Sequence, residues 1–246
     1  MRHCRYASVW IVVAGLLLGA CGNAKAQGIT TQQAEEMLKE LRAMRQALER
    51  VTPPAPAQAQ AQSVKLSDVR GYALGRADAP ITLVEFTDLQ CTYCNRFTTQ
   101  VFGQIKAAYI DTGKVRFVTR DFPLDFHAYA FQAARAARCA GDQNKFWEMR
   151  DALVRGYSQL GDAFVTSVAQ GLKLDMVSFN ACAASTKHDA AIKADMSDGR
   201  GANVEGTPSF VLGPTSAQGL EGVLIVGAQP FAAFDAKIKE MLAQAR

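Results

Sequence analysis

Residues 81–88, ITLVEFTD, are apolar on both alternating faces apart from Glu85, which is the pattern of a strand covered on both sides. Cys91 and Cys94 follow directly, and Phe97, Val101, Ile105 and Ala108 then recur at helical spacing. Cys91–Tyr109 therefore reads as a helix that begins at the cysteine pair. Residues 115–123, VRFVTRDFP, read as a second strand parallel to the first, completing a βαβ unit. A chain committed to this unit folds as an α/β protein with the two cysteines at the carboxyl end of a buried strand.

Beyond Leu124 the composition turns helical. HAYAFQAARAARCAG, KFWEMRDALVRG, DAFVTSVAQGLK, MVSFNACAAS and KHDAAIKADMSD are separated by Gly, Asp or Asn breaks. One crossover helix needs far less chain, so a helical subdomain is expected at about 124–206. Strand character returns in TPSFVLG (207–213) and GVLIVGA (222–228), and an amphipathic helix from Pro230 to Ala245 follows. The folded domain is expected to span 64–246.

The segment before it is organised differently. Met1–Tyr6 is basic and Ala7–Leu18 apolar but too short for a stable membrane span, the layout of a bacterial export signal over 1–26. LGAC, ending at Cys21, resembles a lipobox; cleavage there leaves Cys21 lipidated and the protein anchored to a membrane. AKA at 24–26 fits cleavage before Gln27, which leaves a soluble periplasmic form. Either cut removes Cys4, so Cys91, Cys94, Cys139 and Cys182 remain as the thiols of an exported chain, suggesting two disulfides. Within 30–52, Ala34, Met37, Leu41, Met44, Leu48 and Val51 alternate steps of three and four, a coiled-coil seam. Residues 53–63, rich in Pro, Ala and Gln, form a semi-extended linker. A helix beyond such a linker has no obvious surface of its own chain to cover, and self-association into a homo-oligomer through 34–51 is expected. The 27 basic and 23 acidic residues leave a charge of +4, with Arg2, Arg5 and Lys25 in the leader; a nucleic-acid partner has no electrostatic support.

The spacing of Cys91 and Cys94 admits several chemistries. Zinc needs about four ligands, and no second CxxC or paired histidine accompanies this one; His3, His127 and His188 are scattered. A c-type haem would need His after the second cysteine, where Asn95 stands. No metal and no cofactor is expected. A structural staple would close too small a loop to restrict the unfolded chain much. Thiol–disulfide exchange fits the context best, because peptide N–H groups at a helix start stabilise a thiolate. On this reading Cys91 is the exposed nucleophile, and Cys94, one turn further in, resolves the mixed disulfide. Glu85 is a costly acid in an apolar strand; it reads either as a proton relay for Cys94 or as a structural acid bonded to the backbone. Pro208, poorly suited to a strand interior, suits a cis Thr207–Pro208 peptide approaching the cysteines, or an ordinary trans turn. His127 and the pair Phe146/Trp147 read as structural.

The export signal, VEFTDLQCTYC, the helical insert and GTPSF together resemble the DsbA-like thiol:disulfide oxidoreductases, a bacterial cell-envelope branch of the thioredoxin fold. The resemblance runs from about Tyr72 to the C-terminus. It implies a thioredoxin-like fold with an inserted helical subdomain, a Cys91/Cys94 redox pair, a cis-proline at Pro208, and a Thr207 backbone offered to an extended substrate. Partners implied are exported proteins with cysteines and a membrane or periplasmic redox partner. The family's best-known oxidases carry Pro-His between the cysteines, whereas Thr92-Tyr93 stands here, so the disulfide is expected to be less strongly oxidising. A Tyr at this place is more typical of the family's isomerases, which are joined through N-terminal segments; the single large insert is more typical of its oxidases. The expectation is an oxidoreductase tilted towards isomerase or reductase, with an oxidase, or a non-catalytic chaperone or scaffold, as alternatives. Cys139 and Cys182 read as a structural disulfide in an oxidising compartment, or as free buried thiols.

Overall fold

The computed structural model describes residues 29–51 and 63–244, and of residues 46–51 the backbone alone. The expected export signal with Cys4 and Cys21, and all but the last residue of the 53–63 linker, lie outside the described residues. The chain divides into two compact units, 1–57 and 58–246. In the first, helix α1 spans Thr31–Val51. It starts at a reciprocal cap: the Gln33 N–H donates to Thr30 Oγ1 and the Thr30 N–H to Gln33 Oε1, satisfying donors a helix start otherwise leaves open. Met37, Leu41 and Met44 of the apolar seam are each more than half exposed.

The second unit is built on a six-stranded sheet of order β1-β6-β5-β3-β4-β2. The strands are β1 (Ser63–Leu66), β2 (Tyr72–Leu74), β3 (Ile81–Thr87), β4 (Val115–Asp121), β5 (Ser209–Pro214) and β6 (Leu220–Val226). β3 lies parallel to β4 and antiparallel to β5, and all seven of its residues are buried. This explains why its sequence is apolar on both faces. The edge strands β1 and β2, antiparallel to β6 and β4, are too short to leave a periodic signal.

The helix expected over Cys91–Tyr109 is divided. α2 (Thr92–Gln100) ends at Val101, α3 covers Phe102–Ile105, and a π-helical turn follows at Lys106–Ile110. Phe97, Val101, Ile105 and Tyr109 are all buried at steps of four. Each such step overruns a regular helical turn by about 40°, and the break and the wider π turn hold these side chains against the sheet.

Alternation along β3 sorts the core. Ile81 and Leu83 face Phe97, Ile105, Phe210, Phe234 and Ile238, contributed in part by α2 and by the last helix, α9 (Phe231–Gln244). Val84 and Phe86 face Ile192 and Met196. The insert comprises α4 (Ala130–Gly141), α5 (Phe146–Arg155), α6 (Asp162–Gly171), α7 (Met176–Ala184) and α8 (Asp189–Gly201). α8 meets the sheet closely at Gly199, where a Cβ would lie 2.7 Å from the Phe122 ring. A third core, that of the insert, includes Leu153, Phe179 and both Cys91 and Cys94, so the cysteine pair sits at the seam between sheet and insert.

Buried charges fasten the same seam. Arg120 is fully buried and donates to Asp68 and Asp198, while Arg138 of α4 bridges Asp121 and Asp195, each at 2.5 Å. Burial, then the adjacent Asp121 carboxylate, push Asp195 up to about 6 against the pull of Arg138; burial raises Asp121 as well. The folded state thus holds the Asp195 proton more tightly than the unfolded chain. The stability it contributes is fully present below the ordinary value of 3.8 and lost as pH rises through about 6. Asp195→Asn is therefore expected to compare better with the parent at about pH 7 than at about pH 4 in urea unfolding; a constant difference would contradict the shift.

Candidate active site

The site begins where β3 ends. Asp88, whose side chain is fully buried, accepts from the Gln90 N–H at 2.7 Å and the Leu124 N–H at 2.8 Å, and bonds His127 Nδ1 at 2.7 Å. One carboxylate thereby ties the approach to Cys91 to the loop after β4. His127 sits in that framework.

Cys91 precedes α2 and Cys94 lies in its first turn; the two are free thiols. The Cys91 sulfur is 3.4 Å from the Thr207 carbonyl oxygen, and the Thr207–Pro208 peptide is cis. Sequence reading expected Cys91 to be exposed, but it is 5% exposed. A helix start provides dipoles, not access: Cys91 packs into the insert core, and its sulfur lies against the Thr207 carbonyl. Thr92 and Tyr93 point outward instead, with Tyr93 61% exposed.

The two thiols differ sharply in acidity. A hydrogen bond from the Cys94 thiol, which outweighs the cost of burial, and smaller contributions from Thr207 and the Cys94 and Tyr93 N–H groups lower Cys91 to about 6. Cys94 is pushed well up by complete burial, then by the Cys91 sulfur and by the charge of Glu85. The arrangement supplies a thiolate at Cys91 near neutral pH and a proton-retaining thiol behind it.

Glu85 shares the Ile81 and Leu83 face, the one α2 covers, and is fully buried. Its Oε2 accepts from Thr119 Oγ1 at 3.1 Å and from Arg150 Nη2 at 2.5 Å; its Oε1 has no partner among the described residues. The backbone-bonded reading of this acid is thus replaced by an ion pair. Arg150 comes from α5 of the insert, 2% exposed, its guanidinium 5.7 Å from the Trp147 ring. Sequence reading missed it, although a signal was present: Arg150 falls on the buried stripe of Phe146, Met149, Leu153 and Val154, where a charge needs a partner.

Cys139 on α4 and Cys182 on α7 are joined as a disulfide with a Cα–Cα distance of 5.8 Å. This bond lies in the insert, apart from the reduced pair.

A family model described as thioredoxin matches residues 67–221. The Na(+)/H(+) antiporter NhaA 1 of Salinispora arenicola is 33% identical over 166 residues, covering 67% of this chain and 25% of that protein. This chain thus spans about a quarter of the length of such curated relatives. A putative protein-disulfide oxidoreductase of Rickettsia bellii is 33% identical over 88 residues, 36% of this chain and 33% of that protein. The crystal structure of Wolbachia pipientis alpha-DsbA1 covers 80% of this chain and 96% of its own, with a TM-score of 0.64 and 24% identity, a likeness of fold.

Two outcomes follow from this geometry. Alkylation of reduced Cys91 should show a midpoint near the value of about 6, and Cys94→Ala, which removes the largest stabilising contact, should move that midpoint upward; an unmoved midpoint would exclude the thiol–thiolate bond. Arg150→Met leaves the Glu85 charge buried without its cation and should cost about 3–5 kcal/mol in urea unfolding, with Glu85→Gln in the same chain recovering part of the loss.

Proposed function

Since the chain belongs to the thioredoxin family and has the DsbA-like fold, we propose that it is a thiol:disulfide oxidoreductase of the bacterial cell envelope, exchanging disulfides with exported proteins. The carrying observation is the Cys91 sulfur, with its lowered pKa, held against the carbonyl of a cis Thr207–Pro208 pair. In the reducing direction the Cys91 thiolate attacks one sulfur of a substrate disulfide; the other substrate sulfur leaves as a thiolate. Cys94 then attacks the Cys91 sulfur, forming the Cys91–Cys94 bond and releasing the second substrate thiolate. Its proton passes to the buried Glu85 carboxylate, the one acid on that face of β3. Thr207 offers its backbone to an extended substrate. The oxidising direction runs the same steps in reverse.

Direction is assigned to isomerase or reductase, on the Thr92-Tyr93 dipeptide and on self-association of α1 through Ala34–Val51. A specific observation favours the oxidase instead: a thiolate stabilised to about 6 is a good leaving group, which makes a disulfide more oxidising. The antiporter match covers a quarter of that protein, and among the described residues no helix is long and apolar enough to cross a membrane.

The test compares the chain from Gln27 with one lacking residues 27–63, in reduction of insulin, refolding of scrambled ribonuclease and oxidation of reduced ribonuclease. Both are expected to reduce insulin, and only the longer to sediment as an oligomer and refold scrambled ribonuclease efficiently. Equal isomerisation by the two would overturn the oligomeric isomerase, and fast oxidation by both would replace isomerase with oxidase. Cys91→Ala with full cellular function would remove exchange altogether in favour of a chaperone or scaffold.

A further inference from the structure

The insert brings together four side chains from three separate places along its sequence. Cys139 and Asp142 occupy one turn at the end of α4, Cys182 lies in α7, and His188 sits at the start of α8. One ligand atom from each lies within 4.8 Å of all the others. Asp142 Oδ2 is the centre of the group, with the Cys182 sulfur at 3.5 Å, His188 Nε2 at 3.0 Å and Lys187 Nζ at 2.8 Å. Cys139 is 1% exposed, so the group is closed on one side.

We propose that these residues form a metal site which the disulfide occupies in the oxidised protein and Zn²⁺ occupies in the reduced one. The donor set is two thiolates, one imidazole and one carboxylate, all of which zinc accepts in a four-coordinate shell. Bonds of about 2.0–2.3 Å place tetrahedral ligand atoms roughly 3.3–3.8 Å apart. The imidazole and the Cys182 sulfur already stand near that distance from the carboxylate, and the sulfurs reach it once their bond is cut. The balance is simple. Two equivalents of a thiol reductant convert Cys139–S–S–Cys182 into two thiols and leave as their own disulfide; Zn²⁺ then binds with release of the two thiol protons. Two thiolates and a carboxylate leave one negative charge on the filled site, which the Lys187 ammonium offsets. The ion would join α4, α7 and the start of α8 as the disulfide joins α4 to α7, so the insert keeps a crosslink in either redox state. This site is independent of the exchange chemistry at Cys91 and Cys94.

The experiment uses the chain from Gln27 carrying Cys91→Ser and Cys94→Ser, so that no other thiol pair competes. With the protein reduced by a phosphine and handled without oxygen, Co²⁺ is expected to bind one per chain. The complex should show thiolate-to-cobalt absorption and the strong visible bands of a tetrahedral ion, which Zn²⁺ displaces; oxidised protein should bind none. His188→Ala and Asp142→Asn should each weaken binding at least tenfold, as loss of even a supporting group does. Zn²⁺ should raise the Tm of the reduced form alone. The proposal is overturned by absence of the cobalt spectrum, by equal binding to oxidised protein, by unchanged affinity in both variants, or by a reduced protein that stays unfolded with Zn²⁺.

Discussion

A carboxylate in the middle of a buried strand must find a cation or give up its charge. Glu85 of β3 finds Arg150, and Arg150 belongs to the insert. That single ion pair therefore dictates more than local chemistry. It requires α5 to lie across the face of β3 that α2 also covers, and it fixes the distance between the sheet and the added helices at the level of the cysteines. The residues around it follow: Trp147 lies against the guanidinium, Thr119 of β4 supplies the second bond to Glu85, and the insert core closes over Cys94. Glu85 in turn raises the Cys94 thiol, so the pairing that docks the subdomain also sets the electrostatics beneath the CxxC turn.

The carboxylates at the end of the sheet do related work by different means. Asp88 is held by backbone N–H groups and His127, which satisfy a buried carboxyl group without a full counter-ion. Asp121 and Asp195 instead share Arg138. These three acids thus use two compensations: Asp88 ties the loop after β4 to the end of β3, and Asp121 with Asp195 of α8 holds Arg138 of α4 at the end of β4.

The frame of the fold was legible because its signals are local and strong. ITLVEFTD shows double burial, the run after Cys94 shows helical spacing, and the Gly, Asp and Asn breaks between Leu124 and Thr207 mark a multi-helix insert. β1 and β2 were not legible, since strands of four and three residues carry no period, and neither was the division of the first long helix at Val101, which answers to contact with the sheet. At the site, Cys91, Cys94, Glu85 and Pro208 could be picked from the chain because each breaks a local rule. Arg150 breaks one too, on the apolar stripe of α5, but its significance needs a partner 65 residues away. GTPSF signalled the approach of Thr207–Pro208 to the cysteines, but not how deeply Cys91 lies, since its contact with Thr207 spans 116 residues of chain.

On the proposed function, that depth has a consequence for which proteins could be processed. A sulfur in a residue 5% exposed is met only by a strand thin and slack enough to lie along the Thr207–Pro208 edge. A disulfide locked in a rigid partner cannot present itself this way until its surroundings open. Under the proposed exchange, the rate with a given protein would contain that protein's own opening equilibrium, and the covered sulfur would sort proteins by how often they come apart near their cysteines.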